Sequence, residues 1–345
     1  MKAFKRITLI SAAIACVLGI IIMALALMAV KFDVKALDVC GEPIKLSKAE
    51  NVQNIKSISV NLYNSDVVIK QSRDEKVWVT YYTTDCCPTV SEISQDGEFK
   101  VYDKSNIWEY SVKQYTKGFF HGIRRSGLET VIEIPADCDS IDIYVNTSNG
   151  KICAENMSAK NIEVYTSNGK VEIGNVSATN ITVDTSNGNI DACDISVSED
   201  LRLNTSNGDV TAEKATAGMT VDVDTSNGKI DLYDINAVDT ITASTSNGNV
   251  DTSVTKANEI ELTTSNGKIN ISYLEAKRSI RLETSNGDIE GDIIGKPEDY
   301  CISSGTSNGN NSLAIYNSNE YFSENDENTI WAYTSNGNIT VQFSE

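Results

Sequence analysis

From Ile143 to Leu282 the apolar residues fall into columns that return about every 20 residues. One column holds pairs two apart: Ile143 and Val145, Ile162 and Val164, Ile181 and Val183, Leu201 and Leu203, Val221 and Val223, Ile260 and Leu262, Ile280 and Leu282. Polar residues such as Glu163, Thr182, Arg202 and Asp222 alternate with them. Period two marks a strand with one buried face. A second column runs Ile152, Val171, Ile190, Val210, Ile230, Val250, Ile269, Ile289. A third runs Met157, Val176, Ile195, Ala215, Ile235, Leu274, Ile294, followed by the mostly small residues Ala159, Ala178, Val197, Ala217, Ala237, Ala257 and Ala276. Each repeat therefore reads strand, turn, strand, short corner.

The turn between the two strands is Thr-Ser-Asn-Gly, beginning at Thr147, Thr166, Thr185, Thr205, Thr225, Thr245, Thr264, Thr284, Thr306 and Thr334. A tetrapeptide repeated ten times at spacings of 19 to 22, with a last step of 28, is a repeat architecture. A lone hairpin of this size cannot bury its apolar face, so the copies must stack. The expected fold is all-β: a parallel, right-handed β-solenoid (a single-stranded β-helix) of about 20 residues per coil, preceded by one transmembrane helix. Ten coils at ~4.8 Å each make ~48 Å. An antiparallel sheet of Asn-Gly hairpins would not hold a fixed register. The turns are assigned to Asn149-Gly150, Asn168-Gly169, Asn187-Gly188, Asn207-Gly208, Asn227-Gly228, Asn247-Gly248, Asn266-Gly267, Asn286-Gly287, Asn308-Gly309 and Asn336-Gly337. The pairing Asn-Gly suggests that Gly supplies positive φ. Strand parity points the Thr inward, and Thr and Asn are expected to form inward ladders between coils.

Residues 7–30 form an uncharged apolar run of 24 residues, ~36 Å as a helix and long enough to span a bilayer. Lys2, Lys5 and Arg6 precede it, which places residues 1–6 in the cytoplasm and the rest outside: a single-pass signal-anchor protein with an extracytoplasmic C-terminal domain. The run exceeds a usual signal-peptide core, although Ala24-Leu25-Ala26 could be cleaved. Residues 31–54 read as linker and 55–140 as an N-terminal β region. Residues 141–309 are the repeat solenoid, and 310–345 supply C-terminal coils and a cap. Within 55–140, Ile58 to Ile69 looks like a decayed repeat with Asp66 in place of the turn glycine. Strand-like stretches follow at Val77–Tyr82 and Glu98–Tyr102, and the chain rejoins the solenoid at Thr130–Pro135.

Net charge changes the functional picture more than composition does. The chain carries -19, and without the four basic residues of the first 31 it holds 25 basic against 48 acidic residues, or -23. Such a surface repels phosphate backbones and excludes nucleic acid as a partner. The outward acids recur in rows: Asp184, Asp224 and Glu283 before the turn, and Glu172, Asp191, Asp231, Asp251 and Glu290 after it. A catalytic cluster would interrupt the repeat at one place, and none does. No calcium-repeat signature, metal spacing, nucleophile motif or phosphate loop is present, so no catalytic, cofactor or metal residue is assigned. The cysteines are Cys16 in the apolar run, then Cys40, Cys86, Cys87, Cys138, Cys153, Cys193 and Cys301. The first four of the external seven could pair outside the membrane. One local irregularity has chemical character. Lys117, Phe119, Phe120, His121, Arg124 and Arg125 form a cationic, aromatic stretch suited either to capping the first coil or to contacting a membrane, a wall polymer or an envelope protein.

The degenerate first rung, the strand pair, the approach Val131-Ile132-Glu133-Ile134-Pro135 and the serial rungs together resemble the DUF4097 family, also called candidate adhesins, over about residues 55–345. The resemblance implies a bacterial, β-helix-like envelope protein with one N-terminal membrane helix. Some members are encoded near envelope-stress genes, and no catalytic motif is carried over. The functional expectation is a non-enzymatic surface, adhesion-like or scaffold protein. The alternative is a β-helix lyase or hydrolase acting on cell-wall polysaccharide, which would need an irregular groove holding two or more carboxylates ~5–10 Å apart.

Overall fold

Alternation of buried and exposed residues along every repeat produces two faces of strand that can only be satisfied by neighbouring coils. The computed structural model describes residues 17–21, 24, 25, 28, 43–84, 88–104, 128–136, 138–317 and 328–344. In these the strands join one continuous sheet folded on itself. Strands before the turn stack in parallel, so that Asn161–Thr166 lies between Asp142–Thr147 and Asn180–Thr185 with Ile162 beside Ile143 and Ile181. Strands after the turn do the same: Val171–Ala178 lies between Ile152–Ser158 and Ile190–Val197. The chain is all-β, a parallel solenoid.

The core is the space between these two halves. Ile152, Ile162, Val164, Ile181, Ile190 and Leu203 are among the side chains fully withdrawn from water. Each fully buried Val, Leu or Ile contributes about 1.5–3 kcal/mol, repeated in every coil. The third column shifts at its end: Ile293, not Ile294, is buried opposite Leu274, because the strand is irregular around Gly291, whose φ is +134°.

The turn differs from the expected geometry. None of the ten turn glycines has positive φ; among the described residues only Gly97, Gly291 and Gly295 do among glycines. Glycine is required by close approach instead. A Cβ on Gly228 would sit inside the van der Waals radius of the Gly208 carbonyl oxygen one coil away, and Gly169, Gly188, Gly208, Gly248 and Gly267 repeat the contact. Seven of the eight described left-handed non-glycine residues are at the second corner: Asn156, Asn175, Asp194, Lys214, Asp234, Val254 and Tyr273 have φ of 51–55°, and the eighth, Asn328, directly precedes Thr329–Asn336. Val254 is the costly one, because a β-branched residue in this region is strained. Val254→Asn is expected to stabilise the protein by about 1 kcal/mol, the cost of the left-handed conformation, read as a higher urea midpoint with unchanged slope.

Nine of the ten turn Thr side chains are buried, and Thr306 of the outermost turn is half-buried. They do not bond to one another. Thr225 Oγ1 donates to the Gly208 carbonyl of the neighbouring coil at 3.0 Å and accepts the Gly228 N–H of its own turn at 3.2 Å. The asparagines do form a ladder, but on the exposed edge rather than inside: Asn227 Nδ2 donates to Asn207 Oδ1 and Asn247 Nδ2 to Asn227 Oδ1, both at 2.7 Å.

Both ends are built out of sequence order. At the C-terminal end Thr329–Asn336 inserts between Ile269–Thr284 and Cys301–Asn308, so the Thr306 turn is outermost and the Thr334 turn lies beneath it. At the other end Ser57–Leu62 lies between Glu98–Asp103 and Asp142–Thr147. Asp66–Gln71 lies likewise between Glu129–Ile134 and Ile152–Ser158. In this rung Asn64 meets Asn149 and Ser65 lies under Gly150, so Ser65, not Asp66, holds the glycine position. Antiparallel strands finish the end: Lys76–Thr83 on Glu129–Ile134, Thr89–Ile93 on Glu98–Asp103, and Ile44–Asn51 on Lys76–Thr83. Unpaired edges invite aggregation, and these strands cover them. The stretch 31–54 is therefore not all linker. Helical residues are described at 17–21, 24, 25 and 28, and among the described residues no helix is long and apolar enough to cross a membrane. Most of 7–30 lies outside them.

Candidate functional site

The solenoid offers two outer faces, one from each strand of the repeat. On the face after the turn, lysines stand directly behind glycine at Lys151, Lys170, Lys229 and Lys268, two residues before the acidic column or its counterparts. Each lysine spans two coils. Lys170 reaches Glu172 at 3.0 Å and Asp191 at 2.5 Å. Lys229 reaches Asp231 and Asp251, both at 2.6 Å, and Lys268 reaches Asp288 at 2.7 Å and Glu290 at 3.8 Å. The acids read as a repeating row are thus paired with lysine. On the other face Asp184 accepts from Asn204 Nδ2 at 2.8 Å and Glu283 pairs with Arg281 at 2.5 Å. Arg281 also lies over the exposed Trp331 ring, 5.8 Å from its centroid. Among the described residues no group of three or more His, Cys, Asp or Glu is placed to hold a metal ion.

These pairs give the fold a pH signature. Hydrogen bonds from Lys151 and then Lys170 hold Glu172 below its usual value, and the Asn338 backbone N–H, then Lys268, holds Asp288 down. Carboxylates depressed in the folded state stabilise it above their unfolded pKa and lose that contribution as pH falls through the folded value. Lys170 and Lys229 are raised by their carboxylate partners. Their contribution is present below the ordinary lysine value of 10.5 and is lost as pH rises beyond it. Asp224 acts in the opposite direction, raised first by burial and then by Asp222. Thermal midpoints are expected to be level around neutrality and to fall below pH 4.5 and above pH 10.5, the usual Glu and Lys values. The exposed pairs make each step small and salt-sensitive. A midpoint that rises on acidification would contradict the ladder's role.

One place departs from the repeat. Ser57–Leu62 carries small outward residues, Ser57, Ser59 and Asn61, between strands bearing Glu98, Lys100 and Tyr102 on one side and Asp142 and Tyr144 on the other. The result is a trough. One part, about 400 Å³, is lined by residues that include Ser59, Asn61, Glu92, Glu98, Tyr102 and Asp103. The adjoining part, about 370 Å³, is lined by Ser57, Asp142, Tyr144, Asn161 and Glu163 among others. Two of its carboxylates are engaged: Glu98 with Lys100 at 3.0 Å, and Asp103 with the Thr89 hydroxyl at 2.6 Å and the Tyr63 N–H at 3.0 Å. Tyr144 and Tyr165 pack at 5.5 Å, and the Tyr165 hydroxyl donates to Glu163 at 3.2 Å. Polar groups with aromatic walls suit a neutral, hydroxyl-rich ligand. The trough was not read from sequence, although three small outward residues in the decayed rung were a usable signal.

The cationic, aromatic stretch Lys117, Phe119, Phe120, His121, Arg124 and Arg125 lies outside the described residues, as do Cys16, Cys40, Cys86 and Cys87. Cys153, Cys193 and Cys301 are free thiols. Burial first, then the Glu155 carboxylate, pushes the Cys153 thiol up to about 11, so it is a poor nucleophile at neutral pH.

A family model described as Toastrack DUF4097 matches residues 55–342. No curated protein matches the sequence. Among solved structures, a candidate cell adhesion protein of Clostridium sporogenes ATCC 15579 is 12% identical with a TM-score of 0.26, covering 88% of this chain and 100% of its own. A candidate lipid binding protein of Parabacteroides distasonis ATCC 8503 is 16% identical, TM-score 0.35, covering 87% and 97%. A candidate adhesin of Bacteroides fragilis NCTC 9343 is 12% identical, TM-score 0.32, covering 87% and 97%.

Proposed function

Because the chain belongs to the Toastrack DUF4097 family, we propose that it is a non-enzymatic surface protein of the bacterial envelope, a stiff adhesion-like or scaffold rod with ties to envelope stress. The observation that carries this reading is the unbroken repeat with its acids tied to lysine, which sets no reactive group apart on the regular faces. The rod is anchored by residues 7–30, with its N-terminus in the cytoplasm and the solenoid outside. Its partner is a wall polymer or another envelope protein. In the test, the detergent-purified chain is mixed with isolated wall glycan. Co-sedimentation without release of reducing sugar is expected. Sugar release that disappears in Glu98→Gln would overturn the reading.

The trough favours a second reading, a polysaccharide-acting enzyme, since it gathers Glu92, Glu98 and Asp103 where the repeat is broken. The same assay separates the two. Alkaline carbonate extraction tests the anchor: the full chain should stay with the membrane, and release by carbonate would refute it.

A further inference from the structure

Asparagine followed by glycine is chemically vulnerable. The glycine nitrogen can attack the asparagine side-chain carbon, and no Cβ hinders it. The ten copies here are chemically alike in sequence, yet the fold treats them differently. From Gly150 to Gly267 each turn glycine donates its N–H to the Thr Oγ1 of the same turn at 3.1–3.2 Å. Gly337 donates to the Asn308 carbonyl at 3.1 Å. Gly287 is buried beneath the following coil. Gly309 alone among the ten turn glycines is exposed, and its N–H makes no such bond.

Asn308 is also the end of the ladder. Its Nδ2 donates to Asn336 Oδ1 at 2.7 Å, but among the described residues no asparagine beyond it holds its own Oδ1. Asn286, by contrast, is gripped on both sides. Moreover, the Gly337 N–H bonds the carbonyl oxygen of the Asn308–Gly309 peptide. A donor on that oxygen stabilises the negative charge left when the Gly309 nitrogen gives up its proton.

We propose that Asn308–Gly309 is a site of spontaneous deamidation and that the Thr hydroxyls shield the inner turns from the same reaction. Hydroxide takes the Gly309 amide proton, and the nitrogen lone pair forms a bond to Cγ of Asn308. The Cγ–Nδ2 bond breaks, and Nδ2 leaves as ammonia with a proton from water. The resulting succinimide is opened by water at either carbonyl to aspartate or isoaspartate. No redox change occurs. The new carboxylate faces Asn336 Oδ1 without a proton to offer, so acceptor meets acceptor and the outermost coil is loosened.

The test is incubation of the folded full chain at mildly alkaline pH, with peptide mapping by mass spectrometry and isoaspartate detection. Asn308 is expected to convert at least about tenfold faster than Asn227, the factor that a local opening cost of about 1.4 kcal/mol imposes on the inner turn. In urea the sites should converge. Thr225→Val should raise conversion at Asn227, and Thr225→Ser should not, with circular dichroism confirming that both remain folded. Asn308→Gln removes the fast phase and controls for assignment. Equal rates at Asn308 and Asn227 in the folded chain would overturn the proposal, as would an Asn227 rate indifferent to loss of the Thr225 hydroxyl. The first outcome refutes exposure as the cause, the second the shielding.

Discussion

Replacing Gly228 with alanine is expected to destabilise the protein by about 3 kcal/mol or more, at the upper end of what overpacking a tight site costs. The added Cβ would overlap the Gly208 carbonyl oxygen, a backbone atom that cannot rotate away. Gly228→Val should be at least as severe. Gly228→Asn separates this cause from the conformational one. If the turn needed positive φ, asparagine would be the best-tolerated substitute. Since the obstacle is the neighbouring coil, asparagine should fare no better than alanine. Ser65 supplies the control, because it occupies the same position and already carries a side chain. Ser65→Ala should be within a few tenths of neutral. Urea unfolding of these variants decides the matter, and an asparagine variant clearly more stable than the alanine one would refute the steric account.

Thr225→Val should cost roughly 2–4 kcal/mol, since it leaves two buried backbone groups without a partner at about 1–3 kcal/mol each. Valine keeps the shape and volume, so cavity formation is not the cause. The hydroxyl is what matters: it gives its proton to the Gly208 carbonyl at 3.0 Å and takes that of the Gly228 N–H at 3.2 Å. Thr225→Ser retains both bonds and should lose well under half as much. Chemical denaturation of the pair, with unchanged slope, reads the difference. A serine variant as weak as the valine one would show that packing by the methyl group dominates.

The repeat and its inward columns were legible because one buried face forces strict alternation, visible in Ile162-Glu163-Val164 and its copies. The cause of the glycine was not. Local rules see Asn227-Gly228 as a left-handed turn, whereas the group that excludes a side chain belongs to Gly208, 20 positions away and known only once the coils are stacked. The true left-handed corner escaped for a different reason: Asn156, Asn175, Asp194 and Asp234 are the residue types this conformation favours, but Lys214, Val254 and Tyr273 break the column. The acidic column was read correctly as a surface, while its lysine partners were missed because each bridges two coils. The trough required knowing that Ser57–Leu62 has neighbours drawn from beyond residue 97 on both sides.

That displaced order at the two ends also sets a schedule. A strand such as Asn161–Thr166 can be laid on the strand just completed, as successive courses of brick are. Ser57–Leu62 cannot; both its flanks are made later. Cys301–Asn308 must wait as well, because the course that supports it, Thr329–Asn336, comes after it in the chain. The middle can thus assemble as it emerges, while the first and last rungs close only in retrospect, with the long sequence separations that slow folding. Repeats could be gained or lost between Thr147 and Thr284 without disturbing either closure. The length of the rod is therefore free to drift, and its two ends are not.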